Sequence, residues 1–398
     1  MRILQVVQRF YPRAGGAENH VYFISREMAK MGHEVSVITT NSITAYDVRG
    51  FSKKGFKLRS SLTSLSNSET KENIRIHRFE PKFGFYTYLL TPSMISYLLT
   101  NINKYDVIHV HGYLHAESAI VTFITKLKKR TFILTAHDLV SSYGGFLEII
   151  KRFYDVTIGK AILKSAKILI ALTPANMEEY VALGASKNKI KIIPNGVDSE
   201  KFTNLKRSKN ITPELGNPEK IVLFVGRIVR YKGAQYIIEA IPHIIKDYPS
   251  TKFVFVGQDD GYLQELVKLA SKLGVLDRCV FTGKISENEL CELYATADVF
   301  VLPSTCEAFG IAALESLASG TPVILANNGG LSYILSEIGG YSIDMKGNIP
   351  IQIAYYVKKV FKTNTRQIVE RWREKVLREY SWSDISKRLI KVYEEVSG

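Results

Sequence analysis

Cysteine is scarce in this chain. The three present, Cys279, Cys291 and Cys306, are odd in number and show no paired metal-ligating spacing, so no disulfide framework or cysteine-held zinc is expected. Reduced thiols in a cytoplasm are the simplest reading. No apolar run reaches the roughly 18 residues that a spanning helix requires. The first residues, "MRILQVVQRF", enter directly as a strand and lack the layout of a signal peptide. Two phosphate-binding signatures are also missing: no G-x-x-x-x-G-K-[ST] run occurs, and the glycines at 15–16 do not fit G-x-G-x-x-G. Their absence argues against a nucleotide hydrolase and a nicotinamide enzyme. No Asp-x-Asp pair offers a metal clamp. Acidic residues are outnumbered, 38 against 53 Lys and Arg, for a formal charge of +15.

What is present reads as an ordinary globular protein, with 46% hydrophobic and 23% charged residues over 398 positions. That length suits two domains, each able to bury its own core. The charge is uneven. Residues 1–200 hold 27 Lys and Arg against 16 Asp and Glu, and residues 201–398 hold 26 against 22. A basic first half is either a solvated surface or a face for nucleic acid, an anionic membrane or a phosphorylated substrate.

"ILQVV" is a short continuous apolar run, the pattern of a strand buried on both faces. After Gly15–Gly16 the apolar positions Ala17, Val21, Ile24, Met28 and Met31 step by three and four, which is helical. Gly32 closes that helix and "HEVSVITT" supplies the next strand, completing a βαβ unit. Further buried strands are predicted at 106–112, 131–138, 167–173 and 189–196. The rhythm restarts at 220–227, 252–258, 279–283, 298–304 and 322–327. Two such series predict two doubly wound α/β domains. The polar segment 198–219 marks the boundary, and 41–73, rich in Ser, Thr, Lys and Asn, reads as a long excursion of the kind that carries substrate contacts.

In open parallel sheets, ligands bind outside the carboxyl ends of the strands. "GRIVRYKG" follows the first strand of the second series. Arg227 leaves that strand and Lys232 precedes Gly233 at a helix start, so two cations would converge on a helix N-terminus, a good pyrophosphate site. "CEAFGIAALE" at 306–315 follows the fourth strand. Glu307 lies in a loop, and Glu315 within a helix running from about Gly310 to Ala318. Carboxylates are poor partners for phosphate but good acceptors from vicinal sugar hydroxyls. Phosphate in the middle with a sugar at each end describes a sugar nucleotide.

Here the chain resembles glycosyltransferase family four, which has the GT-B fold. "GGAENHVYFISREMAKMGHEV", "DVIHVHG", "LTAHD", "IPNGVD", "VGRIVRYKG", the block "VFTGKISENELCELYATADVFVLPSTCEAFGIAALESLASGTPVI" and the terminal "YSWSDISKRLIKVYEEV" carry the likeness over nearly the whole chain. The resemblance implies two Rossmann-like domains facing a central cleft. An acceptor-binding domain would comprise 1–197, joined by the returning helix 381–398, and a donor-binding domain 198–380. It implies a retaining, nucleotide-sugar-dependent hexosyltransferase that needs neither metal nor cofactor. Glu315 would hold the donor ribose and Glu307 would face the donor sugar. The backbone of Ala308, Phe309, Gly310 and Ile311 would run near sugar and phosphate. Arg227 and Lys232 would neutralise the leaving diphosphate. Gly16 would admit the diphosphate to the first domain's backbone, His137 would reach the sugar, and Lys284–Ile285 would contact the base.

Other readings use some of the same residues. A glycosidase also needs two carboxylates but leaves the cationic pair unexplained. A phosphorylase or sugar-nucleotide epimerase on the same fold shares the site, as does a non-catalytic sugar-nucleotide binder. A nucleic-acid binder would interleave cations and aromatics along one face, and "KLKKR" at 126–130 is the densest basic run. Zinc is not expected at His109, His111 and His115, which lack a completing cysteine or carboxylate set. For the acceptor, the aromatic and apolar segments 79–99 and 143–164 read either as core or as a surface that meets an anionic bilayer. The second reading makes a lipid-linked or cell-surface glycan the acceptor, on a cytoplasmic protein attached peripherally to the membrane's cytoplasmic face.

Overall fold

The computed structural model describes residues 1–13, 15–41, 65–85, 88–137, 145–203, 205 and 215–397. Residues 42–64 of the polar stretch 41–73, and 204 and 206–214 of the stretch 198–219, lie outside them, as do Asp138, Tyr143 and Gly144. Two compact units emerge. Unit 1 comprises 1–195 with 382–398, and unit 2 comprises 196–381.

In chain order, unit 1 has strands β1 (Arg2–Val7), β2 (Glu34–Thr40), β3 (Ser68–Lys71), β4 (Ile74–Phe79), β5 (Phe83–Phe85), β6 (Tyr88–Leu90), β7 (Val107–His111), β8 (Ile133–Thr135), β9 (Ile168–Ala171) and β10 (Ile190–Ile192). Its main sheet runs β10-β9-β8-β7-β1-β2-β4-β3. Only the edge strand β3 is antiparallel, to β4; β5 and β6 form a separate hairpin. β1 is central and buried on both faces. Leu4 and Val6 enter one apolar cluster, and Ile3 and Val7 the other. The helix Gly16–Lys30 and the returning helix Trp382–Ser397 both pack on the second cluster, through Val21, Ile24 and Met28 and through Trp382, Ile385, Leu389, Val392 and Tyr393. At about 1.5–3 kcal/mol per buried side chain, those five residues tie the returning helix firmly to unit 1.

Unit 2 has β11 (Lys220–Val225), β12 (Thr251–Val256), β13 (Cys279–Gly283), β14 (Val299–Leu302), β15 (Val323–Ala326) and β16 (Tyr341–Ile343). They form a six-stranded sheet in the order β13-β12-β11-β14-β15-β16, parallel throughout. Each unit is therefore a doubly wound, Rossmann-like sheet. The continuous apolar runs became the central strands, but two strands expected to be buried, β10 and β13, lie at the sheet edges with half-buried or exposed residues, and β3 to β6 and β16 were not anticipated. β4 reads Ile74-Arg75-Ile76-His77, an alternation that signals a half-exposed strand. Yet it lies between β2 and β3 in the sheet. No helix among the described residues is long and apolar enough to cross a membrane.

Candidate active site

In unit 2 the loops after β11, β14 and β15 are knitted together at the carboxyl end of the sheet. The β11 loop makes a tight turn at Arg230–Lys232 and enters the helix Ala234–Ile245 through Gly233, whose φ is +83°. A β-carbon at Gly233 would collide with the Pro303 carbonyl of the β14 loop, so only glycine permits this approach. The Thr305 N–H donates to the Tyr231 carbonyl at 2.8 Å, and Ser304 Oγ donates to the same carbonyl at 3.2 Å. From the third loop, Asn328 Nδ2 donates to the Ser304 carbonyl at 3.0 Å and the Gly330 N–H to the Glu307 carbonyl at 2.8 Å. Glu307 is thus fixed by its own backbone.

Its side chain is fixed too. Lys232 Nζ and Glu307 Oε2 form an ion pair between two largely buried side chains. The residues assigned to leaving group and sugar are therefore held against each other. Arg227 lies alongside: its guanidinium bonds Asp260 Oδ2 at 3.0 Å and the Tyr231 hydroxyl. Arg227 and Lys232 sit 5.9 and 5.8 Å from the Tyr231 ring centroid, so one aromatic face gathers both cations. Tyr231 and Asp260 were not singled out from the sequence. The Asp259–Asp260 pair directly after β12 was the available signal.

The helix bearing the second glutamate spans Ile311–Ala318 and begins one residue later than expected. Gly310 is its N-cap, with φ at +97°. Ala308 and Ile311 are half-buried, and Phe309 and Gly310 are buried. Glu315 stands one turn in, tethered apart from the cations: Tyr294, itself fully buried, donates its hydroxyl to Glu315 Oε2 at 3.0 Å. Burial pushes the Glu315 carboxyl up to about 7, and the Tyr294 bond works against that rise. Lys284 is exposed and Ile285 half-buried. They directly precede Ser286, which caps the helix Glu287–Thr296 in a reciprocal capping box with Glu289.

In unit 1, Gly16 opens the helix Gly16–Lys30, and a β-carbon there would meet open space. His137 follows β8 and ends a chain of buried hydrogen bonds. Gln5 Nε2 donates to the Tyr393 hydroxyl at 3.2 Å, which donates to His109 Nδ1 at 2.6 Å. With its amide so oriented, Gln5 Oε1 accepts from His111 Nε2–H at 2.8 Å. His111 Nδ1 then accepts from His137 Nε2–H at 3.2 Å. Burial, followed by the neighbouring imidazoles, holds His111 and His137 well below the usual histidine value, so both are neutral at pH 7. His20 packs edge-on to His137 with centroids 4.9 Å apart and bonds Asn195 Oδ1 at 2.7 Å. The histidines that gather are thus His20, His111 and His137, whose ring nitrogens lie within 4.8 Å of one another, rather than 109, 111 and 115. The donors are of a kind a metal accepts. The bond between His111 and His137, however, already uses the lone pair that a cation would need.

Two sequence models match this chain: the one described as Glycosyltransferase Family 4 over residues 14–201, and that of Glycosyl transferases group 1 over residues 207–376. The chain belongs to glycosyltransferase family four. An uncharacterized glycosyltransferase of Methanocaldococcus jannaschii is 28% identical over 99% of this chain and 98% of its own. A component of the phosphatidylinositol N-acetylglucosaminyltransferase of Arabidopsis thaliana is 23% identical over 99% of this chain and 82% of its own. Among solved structures, HepE of Anabaena in complex with UDP and glucose superimposes with a TM-score of 0.76 at 18% identity, covering 99% of this chain and 100% of that one. This family-four glycosyltransferase therefore has the GT-B fold, two Rossmann-like α/β domains with parallel sheets.

Proposed function

We propose that this glycosyltransferase is a retaining, metal-independent hexosyltransferase. It would move a sugar from a nucleoside-diphosphate sugar to a hydroxyl of a lipid-linked or cell-surface glycan. The observation that carries the reading is the Lys232–Glu307 ion pair, beside Arg227 on Tyr231, at the carboxyl ends of β11 and β14. An ammonium has three donors, so Lys232 can keep Glu307 while turning the others to a diphosphate. Arg227 and the N-terminus of Ile311–Ala318 add positive potential where the leaving oxygen gains charge. The acceptor hydroxyl attacks the anomeric carbon from the face the diphosphate leaves. The bond from that carbon to the phosphate oxygen breaks, and the hydroxyl proton passes to the departing phosphate. Glu307 orients the sugar and Glu315 accepts from the ribose hydroxyls. Neutral His137 exchanges a hydrogen bond with a sugar hydroxyl, since it carries no charge for phosphate. Gly16 gives the diphosphate room, and Lys284–Ile285 meet the base. The donor is substrate, so no cofactor enters.

The UDP and glucose bound by HepE support a nucleotide-sugar donor. The phosphatidylinositol in the Arabidopsis relative's name and the basic first half support a lipid-linked acceptor and peripheral attachment to a cytoplasmic membrane face. The test is a panel of nucleoside-diphosphate sugars read by thermal stabilisation. A ligand at about 100 times its Kd adds about 2.7 kcal/mol to the stability of the native state. One or two members should stabilise the chain and be slowly hydrolysed in EDTA. A flat panel would overturn the reading.

A further inference from the structure

We propose that unit 1 docks on an anionic lipid bilayer through an apolar stripe on the segment Ile149–Ile158, flanked by Phe123 and Leu127. The proposal deepens the lipid-linked-acceptor reading above and rests on it. The segment is a helix, Gly145–Tyr154, that widens into a π turn, Asp155–Gly159, before the short helix Lys160–Ser165.

Its inner side is pinned. The Tyr154 hydroxyl donates to the Tyr113 carbonyl at 2.7 Å, and the Tyr113 hydroxyl donates to Asp155 Oδ1 at 3.0 Å. Lys151 pairs with Asp155 Oδ2 at 2.8 Å, both side chains 12% exposed. Gly159 lies so close to the Tyr113 hydroxyl that a β-carbon would collide with it. Lys151, Tyr154 and Asp155 thus face the protein.

The outer side is greasy. Ile149, Phe153 and Val156 are 64%, 69% and 68% exposed. They stand at positions i, i+4 and i+7, one helical stripe, and Ile158 extends it. This inverts the usual arrangement, in which the apolar stripe of a surface helix faces the core. The helix Ala116–Leu127, which packs against Lys160–Ser165, presents Phe123 and Leu127, also exposed and four residues apart. Large apolar side chains left exposed in such numbers on neighbouring helices mark an interaction site.

Charge selects the occupant. Lys126 lies on the helix of Phe123 and Lys128 and Lys129 directly follow its end, and Arg152, Lys160 and Lys164 stand on or just after the segment that carries the stripe, all exposed. Among the described residues of 145–165 the carboxylates are Glu148, 3.9 Å from Arg152, and the inward Asp155. Bulky apolar side chains ringed by Lys and Arg match the boundary between acyl chains and anionic headgroups. Because Lys151 is an internal ion-pair partner, the exposed Arg152 and Lys164 are the residues that report on attachment.

The test is co-sedimentation of the full chain with vesicles of phosphatidylcholine, alone or mixed with phosphatidylglycerol, across a salt series. The chain should bind the mixed vesicles preferentially and dissociate as salt rises. Arg152→Ala and Lys164→Ala should each weaken binding about five-fold, and the double variant Phe153→Ser/Val156→Ser should reduce it to the neutral-vesicle level. The unit 2 control Tyr355→Ser, at another exposed residue, should bind as the unaltered chain does. In Phe153→Trp, the added emission should shift to the blue on mixed vesicles, a readout that needs no disruptive change. Equal retention on neutral and anionic vesicles, or a double variant that still binds, would overturn the proposal. So would self-association abolished by Phe153→Ser, which would make the stripe a protein interface. Nucleotide-sugar stabilisation is measured on the same samples. Vesicle binding without it would sink the proposed transfer and leave the docking face standing; the converse would sink the docking face alone.

Discussion

Removing one hydroxyl from the core of unit 2 should change the pH at which the donor is gripped. Tyr294 donates to Glu315, and burial has already brought that carboxyl up to about 7. Only the ionised form accepts from two ribose hydroxyls at once, so nucleotide affinity should rise with pH through that region. Tyr294→Phe leaves the buried ring in place but takes away the bond that favours the charged form. A hydrogen bond to a charged group contributes about 1.5–3 kcal/mol, which corresponds to roughly one to two pKa units. At pH 7 the ionised fraction would then fall from about one half to about one tenth or below, weakening affinity at least about five-fold. Well above that range both proteins ionise and their affinities should converge. The assay is calorimetric titration with the nucleoside diphosphate of the best-stabilising donor, from about pH 5.5 to about pH 9. A pH midpoint shared by both proteins, or an affinity flat with pH, would refute the chain of reasoning from buried carboxylate to ribose.

Four further perturbations test other parts of the structure. Lys232→Ala should lower turnover about 10²–10³-fold, the usual loss when a transition-state donor goes. The unaltered enzyme should keep its rate in EDTA, and activity lost there and restored by Mg²⁺ would contradict a metal-free site. Glu117 is 1% exposed, neither carboxylate oxygen has a hydrogen-bond partner, and burial raises it from 4.5 to about 7. Because the folded state holds this proton more tightly than the unfolded state, stability is full below about pH 4.5 and is lost as pH rises through about 7. Glu117→Gln should therefore stabilise by about 3 kcal/mol at pH 8 and by little at pH 4.5; urea unfolding that shows no difference between the two pH values would contradict this. Gly310→Ala should destabilise by at least about 1–2 kcal/mol from its left-handed backbone. The new methyl would also stand 2.5 Å from Leu331 Cδ2, so Leu331→Ala in the same chain should recover part of the melting temperature.

The sheets were legible because their central strands are continuous apolar runs, and a strand buried on both faces leaves no other pattern. β4 was missed for the converse reason. Its Ile74 and Ile76 alternate with Arg75 and His77, so the interior position comes from its neighbours and not from its own composition. At the site, a residue just after a strand could be read along the chain, as with Arg227 and Glu307. Its partner across the fold could not. Lys232 meets Glu307 75 positions away, Arg227 meets Asp260, and Tyr393 joins Gln5 388 positions away. Periodicity reports which way a side chain faces; it is blind to what a distant loop brings opposite. Lys151 shows the same limit from the other side. Its composition suggests a surface cation, but it lies on the inward side of the helix Gly145–Tyr154 and pairs with Asp155 four residues on.

The return of Trp382–Ser397 to unit 1 orders events during synthesis. A ribosome releases the whole of residues 196–381 before it makes the helix that covers the face of Val21, Ile24 and Met28. Unit 2 can therefore close on itself as it emerges. The nascent unit 1 meanwhile waits with that face uncovered, although its sheet strands were made first. A transcript cut after Ser381 would yield a sound unit 2 attached to a half-finished neighbour whose open apolar face invites aggregation.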